Sequence, residues 1–186
     1  MSKKWTEGDT AELERWYIRA KNRRNAHEVS FGFFNFWNKV LTFPSVLLSS
    51  ILSTTTLNQT TDDPVIANMN AAIAIILTFM TSTNTFFCPA KKATGHRTMS
   101  RNMGKLMADI ELELRRSKTD QCVDFLPFIE KISERFGLAK DEAPPLTKAG
   151  RAILNEGRKE LESPFDLDKP HPTACVELGG PEVAQT

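Results

Sequence analysis

Two stretches of this chain carry no charge at all, and they restrict its possible folds more than any other feature. Val40 to Thr61 spans 22 residues and Pro64 to Ala90 spans 27, with only Asp62 and Asp63 between them. As α-helices rising 1.5 Å per residue they reach about 33 and 40 Å, enough to cross a hydrocarbon core of about 30 Å. Of the 186 residues 25% are charged, so two adjoining gaps of this length point to a bilayer. The overall mean hydropathy of −0.33 conceals this segregation.

A buried helix pair inside a soluble bundle is the competing reading. The first gap holds Ser45, Ser49, Ser50, Ser53 and Thr54 to Thr56, and the second holds Asn68, Asn70, Thr78 and Asn84. Against that reading, Ile73 to Leu77 followed by Phe79 and Met80 leaves no polar face of the kind an amphipathic surface helix needs. The expectation is therefore an all-α fold: a two-helix transmembrane hairpin with long cytoplasmic helical extensions and a flexible C-terminal tail. Its parts are a cytoplasmic amphipathic helix (1–35), the hairpin (36–90, with spans at 36–57 and 65–87), cytoplasmic helices (91–140), and a linker, short helix and disordered acidic tail (141–186).

Charge sets the orientation. Residues 1–39 hold eight basic and five acidic groups, with Arg19, Lys21, Arg23, Arg24 and Lys39 nearest the first span. Residues 91–118 hold eight basic and three acidic groups, with Lys91, Lys92, Arg97 and Arg101 just past the second. The connecting turn has no Lys or Arg, so both termini are expected in the cytoplasm. These basic residues could also hold anionic headgroups. Trp16, Tyr17, Phe33, Phe34, Trp37, Phe86 and Phe87 are the candidate interface aromatics. The first span is expected to act as an uncleaved signal, since the first 30 residues lack an apolar signal core. The sequon Asn58-Gln59-Thr60 falls too near the bilayer for a glycan to be expected.

Outside the spans, Thr10 is a candidate cap for a helix from Ala11, loosened at Gly32 and either bent or begun anew at Pro44. Thr94-Gly95 suggests a turn, followed by a helix from Thr98 to Lys118. There Met99, Met103, Leu106, Ile110 and Glu113/Leu114 form a coiled-coil seam of about two heptads. That helix and the N-terminal one can pair as an antiparallel stalk. A short helix over 122–138, interrupted at Pro127 and closed at Gly137, precedes a last one from Lys148 to Leu161, capped by Thr147.

Little here suggests catalysis. The 24 Lys+Arg and 23 Asp+Glu leave a net charge of +1, without the basic excess of a nucleic-acid binder. Three scattered cysteines, Cys88, Cys122 and Cys175, make no disulfide scaffold or zinc site. His27, His96 and His171 lie in separate segments: His27 reads as a packing residue and His96 as solvated. No catalytic motif, metal set or cofactor site is expected. Within the spans, Ser45, Ser49 and Ser53 recur every four residues. Ala67 and Ala71, then Ala74, Thr78 and Ser82, do the same on the second. Such small-residue stripes let helices approach closely in lipid, within one chain or between copies, and a homo-oligomer is the favoured expectation.

A charged helix bearing Trp16-Tyr17, Ala20 and His27 runs into the aromatic segment Phe31 to Asn38. A span opening Phe43-Pro44-Ser45 follows, then a short turn, a second span and a basic amphipathic helix. This arrangement resembles the SLATT superfamily of two-transmembrane domains over roughly residues 10–137. The resemblance implies a membrane protein without catalytic residues; bacterial members act as pore-forming effectors. With no attached sensor or nucleotidyltransferase domain, the chain is closest in style to members from large double-stranded DNA viruses. It implies a minor virion component anchoring a capsid or other protein shell to the internal membrane, with residues 119–186 reaching the shell. An oligomeric pore is the alternative.

Overall fold

The structure is a computed structural model describing residues 5–57, 64–118 and 123–162. The turn at Asp62-Asp63, the Asn58 sequon, His171, Cys122, Cys175 and the tail from Ser163 lie outside the described residues. The described chain is helical, without strands: α1 (Glu7–Leu57), α2 (Pro64–Phe87), α3 (Pro89–Ser117), α4 (Phe125–Asp141) and α5 (Lys148–Glu162).

The first helix starts at Glu7, earlier than the Thr10 cap implies, because Thr6 and Asp9 form a reciprocal capping pair. The Thr6 amide donates to Asp9 Oδ2 at 2.8 Å and the Asp9 amide to Thr6 Oγ1 at 3.2 Å. From there α1 runs 51 residues, about 77 Å, straight through Gly32 and Pro44. Pro44 removes one backbone donor, and beside it the Ser45 hydroxyl donates to the Leu41 carbonyl at 2.6 Å.

One periodicity explains this continuity. Leu13, Ala20 and His27 are buried, and Phe34, Leu41, Leu48 and Thr55 are half-buried, at steps of seven. Tyr17, Arg24, Phe31, Asn38, Ser45 and Leu52 form the second row of the same seam. The expected seam on α3 is present and longer than two heptads: Pro89, His96, Met103 and Ile110 in one row, Met99, Leu106 and Glu113 in the other, all buried. It lies against the first half of α1, as the stalk expectation requires. The second half of α1 is lined by α2, whose half-buried rows are Ile66, Ile73 and Met80, and Asn70, Leu77 and Asn84. The pairing is antiparallel, with Thr55 donating to Asn70 Oδ1 at 2.8 Å near one end and Trp37 and Leu41 meeting Thr83 and Phe87 at the other.

Three breakers do not break. Gly95 sits inside α3, which starts at Pro89 immediately after Cys88, and a Cβ there would lie 3.3 Å from Pro144 Cγ. Pro127 occupies the first turn of α4, where an amide has no intrahelical partner anyway. Gly137 lies within α4, which continues to Asp141 because its flanking residues pack on the core. Trp16 meets Phe136 edge-on at 5.4 Å, and Ile132 is fully buried. Trp5 closes the far end, with Nε1 donating to the Val123 carbonyl at 2.7 Å and its ring against Phe125.

The last helix begins where Thr147 predicts it, with the Gly150 amide donating to Thr147 Oγ1 at 3.2 Å. Two glycines seven residues apart seat it on α1. A Cβ at Gly150 would lie 2.5 Å from Ser30 Oγ and 2.7 Å from the Ala26 carbonyl oxygen, and one at Gly157 would lie 2.1 Å from Asn22 Nδ2. On an exposed helix Gly→Ala stabilises by about 1 kcal/mol. At Gly150 the opposing atom is backbone and cannot swing aside, so the clash wins. Gly150→Ala is expected to lower stability by about 1–3 kcal/mol and to raise amide exchange selectively in α5, measured by thermal melts and hydrogen exchange.

Candidate functional site

Burial divides the molecule sharply. The head made by α3, α4, α5 and the first half of α1 buries Leu13, Met103, Leu106, Ile110 and Ile132 to 2% exposure or less. Among the described residues from 31 to 88, none is buried. Phe43, Ile75, Phe79 and Phe86 are 67%, 70%, 71% and 83% exposed. An apolar surface this continuous marks an interaction with a membrane or another protein.

Within the helical stretch Pro64–Ser117, a window of mean hydropathy 1.7 is long and apolar enough to cross a membrane, and none of it is buried. Its charge-free part is α2, whose 24 residues extend about 36 Å. It is the one such stretch among the described residues. The second half of α1 is less apolar than α2, with seven Ser and Thr residues among its Val, Leu and Ile from 45 to 56.

Hydroxyls of both helices donate to their own backbones. Ser50 donates to the Val46 carbonyl, Thr54 to Ser50 and Thr78 to Ala74, each one turn back at 2.8–2.9 Å. This pattern hides polar groups where water is scarce. The two expected small-residue stripes do not form the contact between α1 and α2. Ser45 and Ala74 are half-covered there, while Ser49, Ser53, Ala67, Ala71, Thr78 and Ser82 are exposed. The seven-residue rows place larger side chains, Leu41, Leu48, Ile73 and Leu77, in the contact instead.

At the neck, Phe33, Phe34, Trp37 and Phe87 surround an apolar cavity of about 270 Å³, closed from the head side by Pro89. Lys92 Nζ lies 5.6 Å from the Phe34 ring and 6.0 Å from Phe87, and Arg97 stacks over Phe31 at 5.9 Å. Phe86 projects outward. Lys39, Lys91 and Arg101 are exposed. Trp16 and Tyr17 are not part of this collar: both pack on the head's core. Arg19 to Arg24 sit about 15–22 Å further from the neck than Phe34 along α1. There Arg24 pairs with Glu28 at 3.0 Å, Arg19 covers Trp16, and Lys21 faces solvent.

Just inside the head, the two seams bring together residues that the sequence separates by 69 positions. His27 and His96 face each other with Nδ1 atoms 2.9 Å apart, both essentially unexposed. The expectation of a solvated His96 is wrong. With no turn at Gly95, the helix rotates His96 into the seam, where it stacks on Phe34 at 5.4 Å and leaves Nε2 without a partner. Extending the α3 heptad one step back from Met103 would have found it, whereas His27 lies on the packed face of α1 as expected. Around the pair, Ser100 donates to Glu28 Oε1, and Ser30 and Thr147 hydroxyls lie 3.0 Å apart. No three His, Cys, Asp or Glu side chains gather for a metal ion among the described residues.

An Nδ1 pair at this distance holds one proton between two rings, so double protonation is repelled. Burial first, then the His96 and Arg23 charges, push His27 down to about 4, and burial lowers His96 as well. Both titrate lower folded than unfolded, so the unfolded chain takes up protons first as pH falls. Their contribution is complete above about pH 6.5 and is lost towards pH 4, by up to about 3 kcal/mol for His27. The stability of the wild type, relative to a His27→Leu/His96→Leu variant, is expected to fall across that interval in melts at stepped pH. No protein-family model, curated protein or solved structure matches the chain.

Proposed function

We propose that this protein is a non-enzymatic integral membrane anchor: α2 and the second half of α1 form a transmembrane hairpin that holds the helical head at the bilayer surface. The observation that carries this reading is the division of one continuous seam into a part with a packed core and a part with none. A soluble helical bundle would cover Ile75 and Phe79, which burial would stabilise by about 1.5–3 kcal/mol each. Lipid covers them at once. The lower hydropathy of residues 36–57 is offset by hydroxyls that donate to their own helix. The cationic bias on the head side supports cytoplasmic termini.

Of the two jobs that the SLATT resemblance implies, attachment of a protein assembly is favoured over a pore. A pore needs polar groups turned toward water, and the hydroxyls of Ser50, Thr54 and Thr78 are directed to backbone carbonyls. The exposed small residues from Ser49 to Ser82 favour association with a second copy through the hairpin. On the head, α4 and α5 leave exposed side chains to meet a shell protein, in the viral reading on the internal membrane of a virion, with residues 119–186 as the part that reaches it.

Expressed full-length protein is expected to remain in the membrane pellet after alkaline carbonate extraction and to leave dye-loaded vesicles sealed. Ile75→Arg with Phe79→Arg, each costing about 2.5–3.5 kcal/mol at a span centre, is expected to move it to the supernatant. Wild-type protein in the supernatant would overturn the anchor. Leakage abolished by Ser49→Leu and Ser53→Leu would establish the pore in its place.

A further inference from the structure

On the head, a groove of about 420 Å³ opens between α1, the segment joining α4 to α5, and the start of α5. Its volume falls within the range of small-molecule sites, about 300–1,000 Å³. Its charged walls have a single sign: Arg23 from α1, Lys140 from the end of α4 and Arg151 from α5, beside a neutral His27 and with no Asp or Glu lining it among the described residues. Pro144 and Leu146 supply an apolar side that weakens screening.

Several arginines elsewhere in the molecule find carboxylates: Arg24 with Glu28, Arg115 with Glu111, Arg116 with Glu113, Arg135 with Asp109. Among the described residues, Arg23, Lys140 and Arg151 have no such partner. Arg23 is the sharpest case. Its Nε is buried without a hydrogen-bond partner, and its guanidinium touches only the Phe136 face, at 5.5 Å. A cationic group in a partly buried site without a counter-charge is costly, so an anion in the groove would relieve it. The N-terminal end of α5 adds the positive end of a 15-residue helix beside Leu146 and Arg151. Packing alone does not account for this convergence, since cations drawn together without counter-charge repel one another.

We propose that this groove binds a phosphate group, borne by a lipid headgroup or a soluble phosphorylated molecule, with the guanidinium groups of Arg23 and Arg151 as its principal donors and Lys140 at the rim. A planar guanidinium donates in pairs to phosphate oxygens, and a phosphate, with three free oxygens and up to two charges, can engage two such groups at once where a carboxylate has only two oxygens. The site lies wholly in the head and stands whether or not the apolar helices cross a membrane.

The test uses the full chain in two arms. In detergent micelles the probe is inorganic phosphate against chloride at matched ionic strength. In phosphatidylcholine nanodiscs it is added phosphatidic acid against phosphatidylglycerol, which matches the charge without the monoester. The expected result is a saturable rise in the melting temperature of the head in at least one arm. A rise in the first arm identifies a soluble phosphate, and one in the second arm alone a headgroup. Each of Arg23→Gln and Arg151→Gln is expected to weaken the apparent affinity about tenfold, the loss of one charge-assisted hydrogen bond. Because Arg23 also packs on Phe136, the variants Lys140→Gln and Arg151→Gln keep the test readable if Arg23→Gln unfolds. No saturable rise in either arm, or a rise retained by the Lys140→Gln/Arg151→Gln double variant, overturns the proposal.

Discussion

The seven-residue seam along α1 sets the register of everything packed on it. A strict 3.5-residue repeat keeps one stripe of a long helix facing its partner by a slight left-handed supercoil, where an ideal straight helix would drift away. In α1 that stripe runs from Leu13 to Thr55 without changing phase, although its surroundings change completely. In the head the stripe meets Met103, Leu106 and Ile110 and is buried. Beyond Phe34 it meets only α2, and half of each side chain stays uncovered. Because the two halves share one rod, the head's position relative to the apolar pair is set by α1.

The returning chain must match this stripe twice, and its two helices do not share a phase. The row Asn70, Leu77 and Asn84 would next fall at residue 91, yet on α3 the row continues as Pro89, His96 and Met103. Cys88 absorbs the difference of two residues. It adopts the left-handed conformation, φ 44 and ψ 51, ahead of a proline that disfavours the helical region for the residue before it. Such a conformation in a non-glycine residue costs about 1–3 kcal/mol. The cost is local, whereas the corrected phase serves all of α3. The consequence reaches the site: the phase after Cys88 turns His96 toward His27 and stacks it on Phe34.

Much of the helical pattern was legible from residues alone. The uncharged gap from Pro64, the Met99 to Glu113 repeat and the Thr147 cap each rest on interactions within one segment, and each appears where expected. The misreadings share a cause. Read locally, Gly32, Pro44, Gly95 and Gly137 are breakers, yet each sits inside a helix whose packed face outweighs a penalty of about 1–3 kcal/mol, while Pro127 falls in a first turn that tolerates it. Gly95 is the instructive one, since it lies against Pro144 and its assignment as a turn also misplaced His96.

What the sequence determined by itself is the segregation of charge and the repeat of sevens, because both are properties of a single strand of residues read in order. It could therefore announce long helices and an uncharged part able to shun water. Which residues meet was decided only by the tertiary structure. His27 and His96 are 69 positions apart, and the arginines and lysine of the groove come from three helices, so no local pattern links them. Their juxtaposition depends on the phase change at Cys88 and on two glycines, Gly150 and Gly157, that let α5 lie against α1. These are constraints of space between helices, and they exist only once the helices are packed.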